Sequence, residues 1–588
     1  MSDAVRKAEE FLSREQAFRL GELLTESSHP KTRTLSQTAE ADLPAAIKLL
    51  QSVDDDIPPA TEKVLQRDSF RELVEAFGEA LCSDRRIYFT GCGATGRLSI
   101  LLEAAWRRFW RNFSKVSPEM SKMEDRVFSV MAGGDFALIK SVEGYEDFPD
   151  FGRHQLRERG VGPGDVVVAI TEGGETPFVI GTAWEGLDAG AKVFFVYNNP
   201  TDMLCRHVKR SREVIEEPRI TRLDLTTGPM AITGSTRMQA TTAELFIVGS
   251  ALEIALVRFL RQRLSPSDAE RLRLRERRPD EYYRRLCELL SRLSSDEAID
   301  TLTAATAFEE GIYRRHGLAT YFADEFLLDV LTDTTERSPT FMLPAFRKQG
   351  DILSPRSWAF VKDPFRPTKE AWRELLQREP RGLEWGRDIY ERMNAPENLK
   401  ERPPRLDNAE ILKFTIGCET DVSRTDAPDS ALVVITVGDE TNRLMSTALR
   451  KFGSQYKRTA ALVVGPAEIV APVDETFQFT CALAHSPLQL WHHLAVKLVL
   501  NTLSTATMVR MGRVIGNAMV WVSPSNKKLI DRGSRLIAQQ TECGYEQACL
   551  ALHEAMEEVE SGQRQGREVP SPVALAIERL QGKREKPR

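Results

Sequence analysis

Residues 87–97 read Ile87-Tyr88-Phe89-Thr90-Gly91-Cys92-Gly93-Ala94-Thr95-Gly96-Arg97. An apolar β-type run stops at Thr90, and a glycine-rich turn carrying one hydroxyl, Thr95, comes next. Leu98, Leu101, Leu102, Ala105 and Phe109 then recur on one helical face. A strand, a glycine turn and a helix N-terminus in that order make an anion site, because free backbone N–H groups sit at the positive end of the helix dipole. Gly91-x-Gly93-x-x-Gly96 also fits the dinucleotide fingerprint. That fingerprint needs an acidic residue about 20 positions further on, at the end of the second strand. Here the second strand runs into Ala132-Gly133-Gly134-Asp135, far too late. The loop therefore reads as a phosphate cradle for a small molecule, not a nucleotide.

Outward from this loop, strand patterns are expected at 86–90, 127–131, 165–170, 192–197 and 213–216. Helical patterns lie at 97–111, 136–142, 177–189 and 201–208, and a long helix spans 238–263. This βαβ rhythm predicts a parallel sheet covered on both faces. After a charged helical connector at 264–300 the rhythm resumes, with strands expected at 320–323, 412–416, 432–436 and 459–464. Residues 362–408, rich in Pro, Arg and Trp, read as a surface insertion. Residues 1–80 and 526–588 read as helical. By composition, the polar stretch Leu24-Thr25-Glu26-Ser27-Ser28-His29-Pro30 reads as a loop.

The 588 residues are 41% hydrophobic and 28% charged, with a net charge of -6, so nothing global points to nucleic acid or an anionic membrane. No apolar run is long enough to span a bilayer, and the first residues form a charged helix, not a signal peptide. The eight cysteines form no CxxC pair, which fits a reducing, cytoplasmic setting. No metal-ligand spacing occurs, so no metal is expected, and the absence of GxSxG removes the commonest serine-hydrolase reading; no other cofactor is expected.

The two α/β halves repeat. Ile170-Thr171-Glu172-Gly173-Gly174-Glu175-Thr176 aligns with Ile435-Thr436-Val437-Gly438-Asp439-Glu440-Thr441, and 243–248 aligns with 495–500 in the same order. A duplicated unit is expected to pack as a pseudo-twofold pair, which makes a monomer self-sufficient. Three further stretches invite a ligand. Thr171 to Pro177 follows a strand and opens a helix, although its two glutamates repel an anion. Thr233-Gly234-Ser235-Thr236-Arg237-Met238 caps the long helix, lines a site, or does both. Glu143, Glu146 and Asp147 cluster in Ser141–Asp147 near a helix end, which by composition alone reads as a solvated acidic turn.

These pieces resemble the SIS-domain (sugar isomerase) family, in the branch holding N-acetylmuramic acid 6-phosphate etherase and glucokinase regulatory protein. The resemblance rests on Leu24–Pro30, Gly91–Leu98, Ala132–Asp135, Val142–Asp147, Thr233–Met238, Asn501–Thr505, Gly512–Asn517 and Ser525–Leu529. It implies an α/β fold: two tandem SIS domains, each a flavodoxin-like parallel sheet with helices on both faces, in a pseudo-twofold pair. The implied order is an N-terminal helical segment (1–80), SIS domain 1 (81–263), the connector (264–300), SIS domain 2 (301–525) and a C-terminal helical cap (526–588). The implied ligand is a sugar phosphate. By motif position, Gly93, Thr95, Gly96, Thr171 and Gly173 fall on phosphate loops, Glu143 and Glu146 on the acidic pair, Ser235, Thr236 and Arg237 on the GSSR turn, and Lys497 on a ligand-reaching lysine.

The sequence also departs from the etherase pattern. Ala105 stands where the etherase helix carries a glutamate, while Leu331–Phe341 resembles that etherase segment, so Glu336 could supply the carboxylate from the other half. Gly173, Glu175 and Gln239 replace the etherase serine, arginine and lysine. On this reading the chain is a phosphosugar-binding regulator or sensor, with a sugar kinase as the implied partner. The alternative is an etherase-type lyase using Glu143 and Glu336, with the acid and base roles unassigned. Neither nucleic acid nor membrane is an expected partner.

Overall fold

The computed structural model describes residues 2–115, 117–142, 144–438, 441–466, 472–564 and 570–585. Ten strands form two separate five-stranded sheets. The first holds β1 (Ile87–Gly91), β2 (Val127–Met131), β3 (Val166–Thr171), β4 (Lys192–Tyr197) and β5 (Ile220–Asp224) in the order β2-β1-β3-β4-β5. The second holds β6 (Leu318–Phe322), β7 (Ala359–Lys362), β8 (Ser430–Val437), β9 (Arg458–Gly465) and β10 (Glu475–Thr480) in the order β10-β9-β8-β6-β7. Read from β7, the second order repeats the first strand for strand. Every pairing is parallel, with Ile87 beside Val127 and Val166, and Leu318 beside Ser430. The central strands β1, β3, β6 and β8 are buried along their whole length, as parallel strands covered on both faces must be.

Five helices position the crevice between the halves: α1 (Gly93–Phe113), α2 (Gln239–Arg261), α3 (Leu327–Phe341), α4 (Leu490–Arg510) and α5 (Lys527–Thr541). Helices α2 and α4 are buried on almost every face, so they form the spine between the halves. They also carry the second repeated stretch, Ala243 on one and Ala495 on the other. The architecture is therefore α/β with two like units facing each other, followed by a helical C-terminal region. Among the described residues no helix is long and apolar enough to cross a membrane.

Four details correct the expectations. Residues 213–216 end a helix, Lys209–Glu216, and the fifth strand is Ile220–Asp224. Residues 412–416 form no strand: Phe414 and Ile416 are buried in turns after a short helix, Asn408–Ile411. The expected helix at 136–142 is a single 3-10 turn, Asp135–Leu138. The segment after β7 is no surface ornament, since its Trp372 and Tyr390 are fully buried. It crosses to the first half as a strap. Arg378 grips Asp135 (2.5 and 3.1 Å), and Arg381 donates its backbone N–H to the same carboxylate at 2.6 Å. Arg378 and Arg381 both reach Glu103 on α1, at 3.1 and 2.9 Å. Trp385 and Tyr390 then pack against Tyr145 and Phe151.

Candidate functional site

In an open sheet of this order the ligand crevice lies outside the carboxyl ends of β1 and β3, where the chain turns in opposite directions. A cavity of about 360 Å3 occupies that place. Its wall includes Cys92–Ala94 after β1, Met131 and Ala132 at the end of β2, and Glu172 and Thr176 after β3. The second half contributes Glu336 and Ser338–Thr340, and the cap contributes Asn526, Lys528 and Arg532.

The glycine loop is tighter than its sequence suggests, because the helix begins inside it at Gly93. A Cβ on Gly91 would sit 2.5 Å from the Thr95 carbonyl carbon, and one on Gly96 would sit 2.6 Å from Met131 Cγ. Only glycine lets the first turn fold back on the strand end this closely. Thr95 is 1% exposed and spends its hydroxyl locally: it accepts from Cys92 N–H (3.1 Å) and donates to Cys92 O (2.9 Å). Gly93 and Ala94 line the cavity at the helix start, where N–H groups have no intrahelical partner. One turn on, Arg97 is 2% exposed. It donates to Leu138 O at 3.3 Å, its Nε has no partner, and burial lowers its pKa. A buried guanidinium short of acceptors on a cavity wall favours an anion there.

Across the cavity, the 233–238 turn precedes α2, and Ser235, Thr236 and Arg237 line the wall. Arg237 donates to Ser504 and Thr505 on α4 (2.9 and 2.8 Å) and to Asp333 on α3 (3.2 Å), and its guanidinium lies 3.9 Å from Glu336. Lys497 holds the turn from behind. Its ammonium donates to Arg237 O (2.7 Å), Thr242 Oγ1 (2.9 Å) and Asn501 Oδ1 (2.7 Å). Burial pulls Lys497 down to about 8, against the opposing pull of Glu336. Burial likewise raises the Glu336 carboxyl from its ordinary value, although Arg97, Arg237 and Lys497 resist. A carboxyl whose pKa is raised by burial beside cations is suited to proton transfer.

The remaining wall is acidic, with the cap over it. Burial raises both Glu146 and Glu172. Glu146 accepts from Asn526, and Glu175 is gripped by Lys528 (3.0 Å) and Arg210 (2.5 Å). The N-terminal polar stretch is a working joint, not a plain loop. Glu26 is buried and receives Arg532 (2.5 and 2.9 Å) and Arg535 (2.7 Å), while Thr25 and the Gly173 carbonyl share Asn199. Burial alone would raise Glu26, but the two arginines outweigh it and hold its carboxyl at about 2. Its unfolded value is higher, so this clamp is at full strength above pH ~4.5 and is lost as pH falls through ~2. Melting temperature followed from pH 7 down to 2 should show Glu26→Gln less stable than wild type at neutral pH, with the gap closing in acid.

Of the residues expected from sequence, Gly93, Glu146, Ser235, Thr236, Arg237 and Glu336 line this one cavity. Thr95, Gly96 and Lys497 stand behind its wall. So do Thr171, whose hydroxyl shares a 3.0 Å hydrogen bond with cavity-lining Thr176, and Gly173. Glu143 lies outside the described residues. Sequence reasoning assigned no role to Arg97, Glu172, Lys528 or Arg532, although the first lies in the opening loop and the last two lie in or next to the Ser525–Leu529 motif.

The corresponding turn after β6 in the second half has no glycines. Asp324 and Glu325 replace the glycines there, Arg108 from α1 donates to the Glu325 carbonyl, and Gln489 donates to its carboxylate at 2.9 Å.

The glucokinase regulatory protein N-terminal SIS domain matches residues 71–185. Among solved structures, the C-terminal domain of glucosamine-fructose-6-phosphate aminotransferase from Francisella tularensis aligns with 80% of this chain and 96% of its own, at TM-score 0.45 and 11% identity. An N-acetylmuramic acid 6-phosphate etherase of Salinibacter ruber (strain DSM 13855 / M31) is 29% identical over 240 residues, 41% of this chain and 69% of that protein. The etherase of Prochlorococcus marinus (strain MIT 9313) is 31% identical over 238 residues, 40% of this chain and 67% of its own length. The chain belongs to the SIS-domain family, in the branch of the N-acetylmuramic acid 6-phosphate etherases and glucokinase regulatory protein.

Proposed function

We propose that the chain binds a 6-phosphorylated amino sugar in this cavity and cleaves the lactyl ether of N-acetylmuramic acid 6-phosphate. The observation that carries this reading is the placement of Glu336. The second half delivers a carboxyl of raised pKa into the cavity that the first half opens with its glycine loop. The phosphate goes to the Gly93–Ala94 backbone and Arg97. A base removes the proton from C2, beside the C1 aldehyde of the open sugar. The C3–O bond breaks, and an acid protonates the departing lactate oxygen. Water then adds across the C2–C3 double bond and restores the hydroxyl at C3. Glu336 takes one of the two proton-transfer roles. The test is lactate release from N-acetylmuramic acid 6-phosphate by the purified protein. Release should be saturable, and its absence, with substrate binding intact, would leave only the binding half of the proposal.

A second reading, a phosphosugar sensor, is favoured by the match to the regulatory protein's domain and by Glu175. In the etherase pattern this position carries an arginine, and here it is a carboxylate fixed by Lys528 and Arg210. Such a sensor holds the sugar without turning it over and passes the signal to a partner such as a sugar kinase by reciprocal linkage. A panel of hexose and amino-sugar 6-phosphates tests the shared core of both readings. At least one should raise the melting temperature by mass action.

A further inference from the structure

The proposed substrate carries two anionic arms, its 6-phosphate and the carboxylate of its lactyl ether. The second arm meets a wall that holds three carboxyls, Glu146, Glu172 and Glu336. Like charges at such range repel, so the lactyl carboxylate needs a cation of its own. Among the described residues, five basic side chains line the cavity: Arg97, Lys140, Arg237, Lys528 and Arg532. Four of them are already committed. Arg237 pairs with Asp333 at 3.2 Å, Lys528 with Glu175 at 3.0 Å and Arg532 with Glu26 at 2.5 Å. Arg97, buried beside the Gly93–Ala94 turn, serves the phosphate in the proposed reading.

Lys140 differs from the other four. Residues 131–139 are buried, and Lys140 is the first exposed residue after them. Its backbone N–H donates to Phe136 O at 3.2 Å, just past the Asp135–Leu138 turn. Among the described residues its ammonium joins no ion pair and no hydrogen bond. The Leu138 carbonyl of the same turn holds Arg97 at 3.3 Å. The turn that braces Arg97 inside the cavity therefore presents Lys140 at its mouth. An ammonium on a flexible four-carbon stem is a point charge that can follow a carboxylate there.

We infer that Lys140 is the specificity-determining residue for the lactyl carboxylate. Its ammonium pairs with that group and lets the cavity choose N-acetylmuramic acid 6-phosphate over the same sugar without the ether. The inference rests on the proposed reading of this cavity as a 6-phosphosugar site, and it adds how the two sugars are told apart. Substrate and transition state make the contact alike, so it lowers KM and leaves kcat nearly unchanged.

Binding is read by titration calorimetry on the full chain carrying Glu336→Gln, which stops turnover. The probes are N-acetylmuramic acid 6-phosphate and N-acetylglucosamine 6-phosphate. The first should bind roughly tenfold or more tightly, as expected for one charge-assisted contact. Adding Lys140→Met should remove that preference by weakening the first sugar alone, and Lys140→Arg should keep most of it. The preference should shrink as salt rises, because the pair is open to solvent. With Glu336 intact, Lys140→Met should raise KM for lactate release about tenfold while kcat stays within about twofold. Its melting temperature should match wild type, since the side chain is exposed. Equal affinity for the two sugars overturns the inference and leaves the proposed phosphosugar binding standing. A preference that survives Lys140→Met does the same. Equal weakening of both sugars by Lys140→Met assigns the lysine to the phosphate and also overturns it. Binding of neither sugar overturns the inference together with the reading on which it rests. A preference lost in Lys140→Met without any lactate release upholds the inference and removes only the lyase chemistry.

Discussion

Glu336→Gln is expected to lower lactate release by about a hundred- to ten-thousand-fold, the usual range for removing a general acid or base. The side-chain volume is unchanged, and Arg237 keeps its bonds to Asp333, Ser504 and Thr505, so the sugar phosphate should still bind. The stability effect has a definite sign. Burial raises the Glu336 pKa, so the native state holds its proton more tightly than the unfolded chain does. Wild-type stability therefore falls as pH rises between the unfolded and folded values, and the glutamine variant escapes that loss. Melting temperature against pH should show the variant equal to or above wild type at neutral pH. A variant that loses turnover and also melts far below wild type would assign Glu336 to structure, not chemistry.

The second large effect is expected at Glu103. This carboxylate, 1% exposed, is shared by Arg107 (2.9 Å), Arg378 (3.1 Å) and Arg381 (2.9 Å), and it also accepts from the Ser129 backbone and hydroxyl at 3.0 and 2.6 Å. Burial alone would raise it, but the three arginines hold it well below the ordinary carboxylate range. Glu103→Ala leaves those guanidinium groups without their common counter-charge. Removing one partner of a buried ion pair costs about 3–5 kcal/mol, and here the loss also loosens the strap that crosses between the halves. Denaturant unfolding should show a lower midpoint, with the Trp385 environment changing first. Lys48 and Asp296, an exposed pair 3.0 Å apart, make the control, and Asp296→Asn should leave the midpoint nearly unchanged.

The elements legible in the sequence are those whose residues signal their surroundings. β1, β3, β4 and β8 are continuous runs of Val, Ile and aromatic residues, because both faces are covered, and such runs announce themselves. β5 (Ile220–Asp224) and β10 (Glu475–Thr480) lie at sheet edges, where half the side chains are polar and the pattern fades into its flanks. β7 has only four residues. Phe414 and Ile416 mislead in the opposite direction, since their apolarity serves the packing of the inserted strap. In the site, motif spacing could place a residue near the cavity but could not say which way it faces. Thr95 and Lys497 sit in the right motifs, yet they satisfy the backbone behind the wall. Glu336 was readable only because its surrounding segment resembles a known one. That it lines the same cavity as Gly93 is a long-range juxtaposition that no local pattern encodes.

The turn beside Glu325, which lacks the glycines of its counterpart, has a consequence for how this chain can change. In a symmetric dimer every substitution enters both sites at once, so no residue can serve chemistry in one copy and packing in the other. Here the two halves are separate stretches of one chain. One has kept its glycine turn and the other has kept its carboxylate. Each position can therefore be refined for a single duty, open to graded tuning without a twin to obey.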